Sequence, residues 1–298
     1  MKILTKTEES FIFEFWGGHH EYIYSTKTYL INRPYGIFSN MTVSIYAIFI
    51  LEKNGFIVDN VEFILNEYIG NVDLYGLLFQ KKYNSLDLQM FDEQSIQNFE
   101  KNCFPSFYGL TNEISKLDLR ITHKIIEKFF QPSEYIKKMY DTIIEKKQFD
   151  LVNSVFIWAR KTDKVRELKI PTVSTYINLL KSQDLINKKI ILQTDDITVF
   201  DEFKSYIVNF EYLDFLPFST DGSAFHGRLD LQSDDEFYKK YSITKFEYIG
   251  YMFVSSLICK NSQHCIIYPG NPTTYIPMIK NTFENCFLFT DDEKYLIF

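Results

Sequence analysis

The chain has 298 residues with a hydrophobic share of 46%, enough for one large or two medium domains with their own cores. Its formal net charge of −7 and pI near 5.4 argue against broad binding to nucleic acids or anionic membranes, although a local cationic pocket is compatible with them. No apolar run approaches the roughly 20 residues of a membrane-spanning helix, and the amino terminus lacks the apolar core of a signal peptide, so we expect a cytoplasmic protein without a membrane span.

The first part of the sequence has the pattern with which a Rossmann-like half begins. It predicts a strand, a turn, a loop, a helix and a second strand, over Phe11–Trp16, Gly17–His20, Asn32–Asn40, Met41–Lys53 and Val61–Leu65. Ser39 or Asn40 is a suitable N-cap for the helix, which ends at Asn54-Gly55.

The middle of the chain is mostly helical in pattern, over Leu110–Lys147, with an interruption at Pro132. Near residue 148 this stretch gives way to strands, and we place there a boundary between two halves, 1–148 and 149–298. Short apolar strands that alternate with helices imply a mainly parallel sheet in each half. The predicted fold class is therefore α/β, with two Rossmann-like halves.

The most informative local pattern is an apolar strand that ends in a cluster of charges. Val152–Trp158 is rich in aromatic and β-branched residues and predicts a buried strand. It is followed by Arg160, Lys161, Asp163 and Lys164. Because ligands of open α/β sheets gather at the carboxyl ends of strands, these cations indicate an anion site, most simply for a phosphate. The alternative is a solvated turn.

A second predicted strand also ends in charges. Ile191–Asp196 is an apolar run that breaks into the carboxylates Asp195 and Asp196. Between the two strands, Pro171–Lys181 has apolar residues at roughly helical spacing, including Tyr176, so the whole forms a strand-helix-strand unit. Adjacent acids here are either part of a site or simply a helix N-terminus, where negative charge is favourable. Their position at the end of a strand favours the site.

A third strand end carries a turn. Cys265–Thr274 predicts a strand, a Pro/Gly turn and a helix that begins near Pro272. The free backbone N–H groups of a helix start bind anions. Gly270 permits a close approach of the backbone, and Thr273 has a hydroxyl to donate. A tight turn without a ligand is equally compatible with these residues.

Nothing in the sequence indicates a bound metal or a cofactor. The cysteines are widely spaced and fit neither a zinc motif nor a disulfide framework, so we expect buried thiols at Cys103, Cys259, Cys265 and Cys286. The histidines are scattered, apart from the adjacent pair His19 and His20, and suggest no metal cage.

The order of these motifs resembles the α-1,6-fucosyltransferases and the related bacterial chitin-oligosaccharide fucosyltransferases. That family has a strand ending in His-x-Arg-Arg-x-Asp-Lys, a Pro and a Tyr shortly after it, and Thr-Asp-Asp after the next strand. The matching residues here are Arg160–Lys164, Pro171, Tyr176 and Thr194–Asp196, and the resemblance covers about residues 125 to 275. It implies two halves facing a cleft, the glycosyltransferase B architecture. It also implies inverting, metal-free transfer of fucose from GDP-fucose to a glycan hydroxyl.

The resemblance gives roles to the matched positions. Arg160 corresponds to the arginine that binds the β-phosphate of the donor. Lys161 stands where the family has a second Arg, so the charge is kept but the bidentate fork is lost. Asp195 and Asp196 match an acidic pair required for activity. A Ser-Ser-type turn that contacts phosphate is replaced by Gly270, Asn271 and Thr273.

Further roles at this edge have alternatives. Glu167 lies close to the carboxylate proposed to deprotonate the acceptor hydroxyl, but a surface Glu is as compatible with the sequence. Asp163 and Lys164 would hold the motif in shape. Tyr176 matches a cleft tyrosine and is equally suited to a core.

Two departures from the family concern the nucleotide base. Trp158 replaces a His near the base, where an indole can stack on a ring. The predicted helix near Phe246–Leu257 lacks an Asp where the family reads guanine, and Glu247 is only nearby. The alternatives to a GDP-fucose-dependent enzyme are therefore a transferase for another donor and a catalytically degenerate module that binds glycans or nucleotides.

Overall fold

The computed structural model describes residues 2–15, 18–32, 37–64, 73–80, 86–102, 118–161, 170–217, 233–268, 270–289 and 295–297. These residues form a mixed α/β structure of two compact units, and the chain passes from the first unit to the second between Lys137 and Lys138. The division into functional halves at residue 148 stays a prediction. Over these ranges, no helix combines the length and the apolar character needed to cross a membrane.

The first unit contains a five-stranded sheet whose strands lie side by side in chain order. They are β1 (Lys2–Lys6), β2 (Ser10–Phe15), β3 (Gly18–Ile23), β4 (Thr28–Asn32) and β5 (Asn60–Phe63). Strands β1 to β4 pair antiparallel, and β5 pairs with β4 in parallel. The mainly parallel sheet predicted for this half is wrong for these strands, because their short connections leave no room for crossover helices.

The two adjacent histidines lie in β3 and not in the predicted turn. Residues Gly18–His20 pair with β2, so the prediction of a turn at Gly17–His20 is wrong from Gly18 onward, and Gly17 lies outside the described residues. The ring of His20 is buried, and its Nδ1 lies 2.6 Å from the hydroxyl of Tyr29 on β4. Burial and the contact with Tyr29 hold the His20 side chain in place within the sheet.

The segment from β4 to β5 has the predicted order of loop, helix and strand. Helix α1 (Ile37–Lys53) begins about one turn earlier than predicted, so Ser39 and Asn40 lie inside it and not at its N-cap. The carbonyl of Asn40 accepts a hydrogen bond from the hydroxyl of Ser44 one turn later. The chain leaves the helix at Gly55, whose φ of +81° is the left-handed conformation that favours glycine.

The remaining elements of this part of the chain are short, apart from three helices. They are α2 (Leu74–Leu78), β6 (Phe79–Gln80), a 3-10 turn (Leu88–Met90), α3 (Glu93–Asn102), α4 (Leu119–Phe129), β7 (Gln131–Pro132) and α5 (Glu134–Lys147). Pro132 interrupts the helical stretch as predicted, because it stands in β7, which pairs with β6. Residues 110–117 of that prediction lie outside the described residues.

The second unit contains a six-stranded sheet in the order β10-β9-β8-β11-β12-β13. A 3-10 turn (Leu151–Asn153) precedes β8. The strands are β8 (Ser154–Ala159), β9 (Lys189–Thr194), β10 (Phe210–Tyr212), β11 (His264–Ile267), β12 (Cys286–Phe289) and β13 (Tyr295–Ile297). All pairs are parallel except that of β12 with β13. Counted from β8, the first five follow the doubly wound order 3-2-1-4-5, which reverses between β8 and β11.

Helices connect and cover this sheet. They are α6 (Val173–Ser182), α7 (Ile197–Tyr206), α8 (Asp234–Tyr241), α9 (Lys245–Asn261) and α10 (Asn271–Lys280). The predicted strand-helix-strand unit is confirmed as β8–α6–β9, and the helix predicted near Pro272 is confirmed as α10. Every residue of β8 is buried, which explains its continuous apolar sequence.

The core of the second unit divides by the alternation of side chains along β8. Val155, Ile157 and Ala159 face a cluster that includes residues of α6 and α7.

The cysteines Cys259, Cys265 and Cys286 are free and buried, as predicted for these three, while Cys103 lies outside the described residues.

A buried ion pair joins α1 to α4 in the first unit. Nζ of Lys128 lies 3.1 Å from Oε1 of Glu52, and the two side chains are 6% and 7% exposed. Lys128 also donates to the carbonyl of Val58, and the backbone N–H of Val58 donates to Glu52. The two charges therefore hold a loop and two helices together.

We expect Lys128→Met to lower the free energy of unfolding by about 3–5 kcal/mol, because it leaves the Glu52 charge buried without its partner. Urea denaturation of the purified protein measures this change. The matched control is Lys124→Met on the same helix, which removes an exposed pair with Glu127 and should leave the midpoint nearly unchanged. Equal midpoints for the two variants would contradict the prediction.

Candidate functional site

Three neighbouring strand ends place polar residues at one edge of the second sheet. Strand β8 lies between β9 and β11, with Ala159 opposite Thr194 and Trp158 opposite Ile267. Arg160 follows β8, Asp195 follows β9 and Tyr268 follows β11. Because the strand order reverses between β8 and β11, this edge is the place where doubly wound sheets bind ligands.

Arg160 is held between the two neighbouring strand ends. Its Nε lies 3.3 Å from Oδ2 of Asp195, and its Nη1 donates to the hydroxyl of Tyr268 at 3.4 Å. The side chains of Arg160 and Asp195 are only 9% and 3% exposed. The solvated turn considered as an alternative does not describe Arg160, which is buried and ion-paired.

The two acidic residues after β9 have different partners. Oδ1 of Asp195 accepts the backbone N–H of Lys161 at 2.9 Å, so this carboxylate binds both residues that follow β8. Asp196 is the N-cap of α7, and its Oδ1 accepts the backbone N–H of Thr198 at 2.7 Å and the hydroxyl of Thr198 at 2.5 Å. The helix N-terminus interpretation is therefore correct for Asp196, whereas Asp195 belongs to the cluster around Arg160.

Lys161 extends the cluster toward α7. Its Nζ donates to Oγ1 of Thr198 at 3.0 Å, and Thr198 in turn donates to Asp196. Two positive and two negative side chains, those of Arg160, Lys161, Asp195 and Asp196, thus lie along one edge. Their formal charges sum to zero.

Tyr176 lies in the core beneath this edge and not on an exposed surface. Its ring packs against Phe203 and Phe289, and it is 1% exposed. Its hydroxyl is buried without a hydrogen-bond partner. Burial raises the pKa of this hydroxyl, and the nearby Tyr268 and Asp195 raise it further. The ring of Tyr176 therefore belongs to the core, while the charge of Asp195 still acts on its hydroxyl.

Trp158 is also buried. It is 2% exposed, and its ring lies 6.0 Å from that of Phe156 on the same strand. An indole buried to this extent offers no exposed face on which a base could stack. Glu247 likewise has a local role, because its carboxylate accepts the backbone N–H of Thr244 in a capping box at the start of α9.

The turn after β11 leads directly into α10. Gly270 is buried, and a Cβ added to it would lie 2.6 Å from Cε2 of Tyr268. The helix begins at Asn271 and has a Pro in its first two positions, where a missing N–H costs nothing. Its backbone start lies at the same edge as Arg160, because β11 and β8 are neighbours. Asn271 and Thr273 are the first and third residues of α10.

Several predicted residues lie outside the described residues, namely Asp163, Lys164 and Glu167. Their roles stay predictions. Among the described residues, no group of three or more His, Cys, Asp or Glu is arranged to hold a metal ion.

Sequence reasoning assigned no role to two residues that join this cluster. Tyr268 contacts Arg160, and Thr198 joins Lys161 to Asp196. Tyr268 directly follows an apolar strand, so the rule that ligands gather at the carboxyl ends of strands could have identified it. Thr198 has no such signal, because its contact with Lys161 depends on how α7 packs beside β8.

The fold and this edge define a doubly wound α/β unit with a candidate ligand site where the strand order reverses. No known family profile and no curated protein sequence matches the chain. Among solved structures, it is similar to NodZ alpha-1,6-fucosyltransferase soaked with GDP-fucose, with a TM-score of 0.54 and 9% identity over 90% of this chain and 98% of that chain. The same enzyme co-crystallized with GDP gives a TM-score of 0.54 and 9% identity, over 90% of this chain and 96% of that chain. At this identity the likeness shows a fucosyltransferase-like fold, as the resemblance implied.

We expect Asp195→Ala to destabilise the protein by about 3–5 kcal/mol, because it leaves the buried guanidinium of Arg160 without its carboxylate. Asp196→Ala should cost only about 1 kcal/mol, the usual effect of losing an N-cap. Thermal unfolding of the two variants beside the wild type compares these losses. A larger loss for Asp196→Ala would mean that the Arg160–Asp195 pair is not the interaction that stabilises this edge.

Proposed function

We propose that this protein is a glycosyltransferase that moves a sugar, preferably fucose from GDP-fucose, to a glycan hydroxyl with inversion and without a metal ion. The observation that carries the proposal is the position of Arg160 beside the start of α10, at the strand ends where the sheet order reverses. A guanidinium and a helix N-terminus at one place are suited to a diphosphate. The fold likeness to an enzyme whose crystals were soaked with GDP-fucose or grown with GDP supports the choice of donor.

In the proposed reaction, the bond between the anomeric carbon and the phosphate oxygen breaks, and its electron pair leaves with the nucleoside diphosphate. The acceptor oxygen bonds to the anomeric carbon from the opposite face and gives its proton to a carboxylate, for which we propose Glu167. Negative charge increases on the leaving diphosphate, so groups that bind this charge more strongly in the transition state accelerate the step. Arg160, Lys161 and the N–H groups of Asn271 and Thr273 are our candidates for these groups.

The remaining site residues have supporting roles in this proposal. Asp195 orients Arg160, to which it is paired, and fixes the backbone of Lys161. Asp196 holds the start of α7, and Tyr176 supports the strand ends from the core beneath them. We propose that residues 149–298 bind the donor and that residues 1–148 contribute the acceptor side.

A second function, a catalytically degenerate module that binds nucleotides or glycans, is favoured by a specific observation. The charge of Arg160 is already balanced by Asp195, and Lys161 stands where the family has an arginine fork. The four described charged side chains of this edge sum to zero, and such a group attracts a diphosphate less strongly than a cationic one. Turnover, and not binding, separates this function from the first.

We expect GDP and GDP-fucose to raise the melting temperature by several degrees at saturation, since a ligand at 100 times its Kd stabilises a protein by about 2.7 kcal/mol. GDP-fucose should also be hydrolysed slowly, with the same rate in the presence and absence of EDTA. A melting-temperature screen with GDP, UDP and their sugars, followed by a donor-hydrolysis assay, measures both. Binding without turnover would support the degenerate module, and loss of turnover in EDTA would contradict the metal-free mechanism.

We expect Arg160→Lys to weaken GDP binding by about tenfold or more, because lysine keeps the charge beside Asp195 but cannot form two parallel hydrogen bonds to phosphate. Calorimetric titration with GDP gives the Kd. Lys189→Ala is the matched control, because Lys189 starts β9 at the opposite edge of the same sheet, where it pairs with Glu211. The phosphate role of Arg160 is wrong if both variants bind GDP as the wild type does.

A further inference from the structure

Tyr268 contacts both parts of this edge that are suited to binding an anion, the guanidinium of Arg160 and the turn at Gly270. Its hydroxyl accepts a hydrogen bond from Nη1 of Arg160, and its ring lies where a side chain on Gly270 would have to stand. Its backbone N–H donates to the carbonyl of Trp158 on the neighbouring strand at 3.3 Å. The residue therefore connects the end of β8 with the turn that begins α10.

The ring of Tyr268 has little freedom to move. The residue is 0% exposed, and its phenol contributes to the raised pKa of the nearby Tyr176 hydroxyl. A Cβ on residue 270 would lie 2.6 Å from Cε2 and 3.0 Å from the hydroxyl oxygen of Tyr268. Because a buried ring cannot swing into solvent, such a Cβ would displace the hydroxyl that contacts Arg160.

We propose that Tyr268 is a positioning residue that sets the guanidinium of Arg160 and the Gly270 turn in one fixed arrangement for a diphosphate. The inference rests on the proposed function and deepens it. The ring of Tyr268 occupies the space that a side chain at position 270 would need, and the hydroxyl of Tyr268 fixes Arg160. The effect of Tyr268 on a ligand is thus indirect, through Arg160 and the start of α10.

This arrangement makes the effects of substitutions at the two positions depend on each other. Gly270→Ala moves the ring and, with it, the hydroxyl beside Arg160. Tyr268→Leu removes both the hydroxyl and the ring atoms that a Cβ on residue 270 would meet. Once the ring is gone, Gly270→Ala should have little further effect, which is the non-additivity expected of residues in contact.

The test measures the Kd of GDP and of UDP by calorimetric titration, together with the melting temperature of each unliganded variant. We expect Tyr268→Phe, which keeps the ring and loses the hydroxyl, to weaken the tighter of the two nucleotides about fivefold, the usual effect of one hydrogen bond. The control is Tyr140→Phe, which removes a hydroxyl bonded to Asn261 on another helix of the same unit and should leave the Kd unchanged.

The double variant decides whether the ring transmits the effect. Gly270→Ala should weaken nucleotide binding in the wild-type background and have no further effect in the Tyr268→Leu background. If it weakens binding equally in both, residue 270 acts on the ligand directly and the positioning role is wrong. The role is also wrong if Tyr268→Phe lowers only the melting temperature, or changes nothing. A wild-type protein that binds neither nucleotide overturns the proposed function, and the positioning role with it.

Discussion

The buried ion pair between Arg160 and Asp195 is the interaction on which the candidate site depends. Removing a guanidinium from water is costly unless an opposite charge lies close to it, and Asp195 supplies that charge from the next strand. The same carboxylate fixes the backbone of Lys161. The ends of β8 and β9 are therefore tied together by charge as well as by the sheet, and the arginine is oriented before any ligand arrives.

The order of the strands gives this ion pair its position. In a parallel sheet all carboxyl ends lie at one edge, and the connections on the two sides of the reversal diverge there. In the second unit the reversal falls between β8, which leads into Arg160, and β11, which leads into Tyr268 and Gly270. A cation from one strand and the start of a helix after its neighbour thus face the same place. This coincidence of topology and chemistry distinguishes this edge from the rest of the described sheet.

The environment of the site is formed from the core below it as much as from the surface. Trp158 and Tyr176 fill the space beneath the strand ends, and Tyr268 fills the space that a larger residue would need at position 270. Burial raises the pKa of the Tyr176 and Tyr212 hydroxyls, with Asp195 contributing in both cases. The hydroxyl of Tyr212 donates to the carbonyls of Thr194 and Leu216, so this phenol adds a hydrogen-bonding group near the strand end without adding a charge.

The sequence by itself determined several elements of the second unit and marked the strand ends at which the candidate site lies. Continuous apolar runs predicted β8 and β9, helical spacing predicted α6, and the charges after both strands marked their carboxyl ends, because each of these patterns is local. The resemblance to the fucosyltransferases rested on the same residues, and the fold likeness agrees with it. Pairing direction is not local. The strand predicted over Phe11–Trp16 is therefore present as β2, but its antiparallel pairing was missed, as was the position of His19 and His20 within β3.

Only the tertiary structure decided which side chains at the strand ends are buried and with what they pair. Asp195 and Asp196 are adjacent and chemically identical, yet one faces a buried arginine and the other caps a helix. Trp158 and Tyr176 are of residue types, and at sequence positions, that suit a binding site, but both lie in the core. Tyr268 is 108 positions from the arginine that it contacts. Contacts of this range depend on how the strands assemble, and no local pattern of residues contains that information.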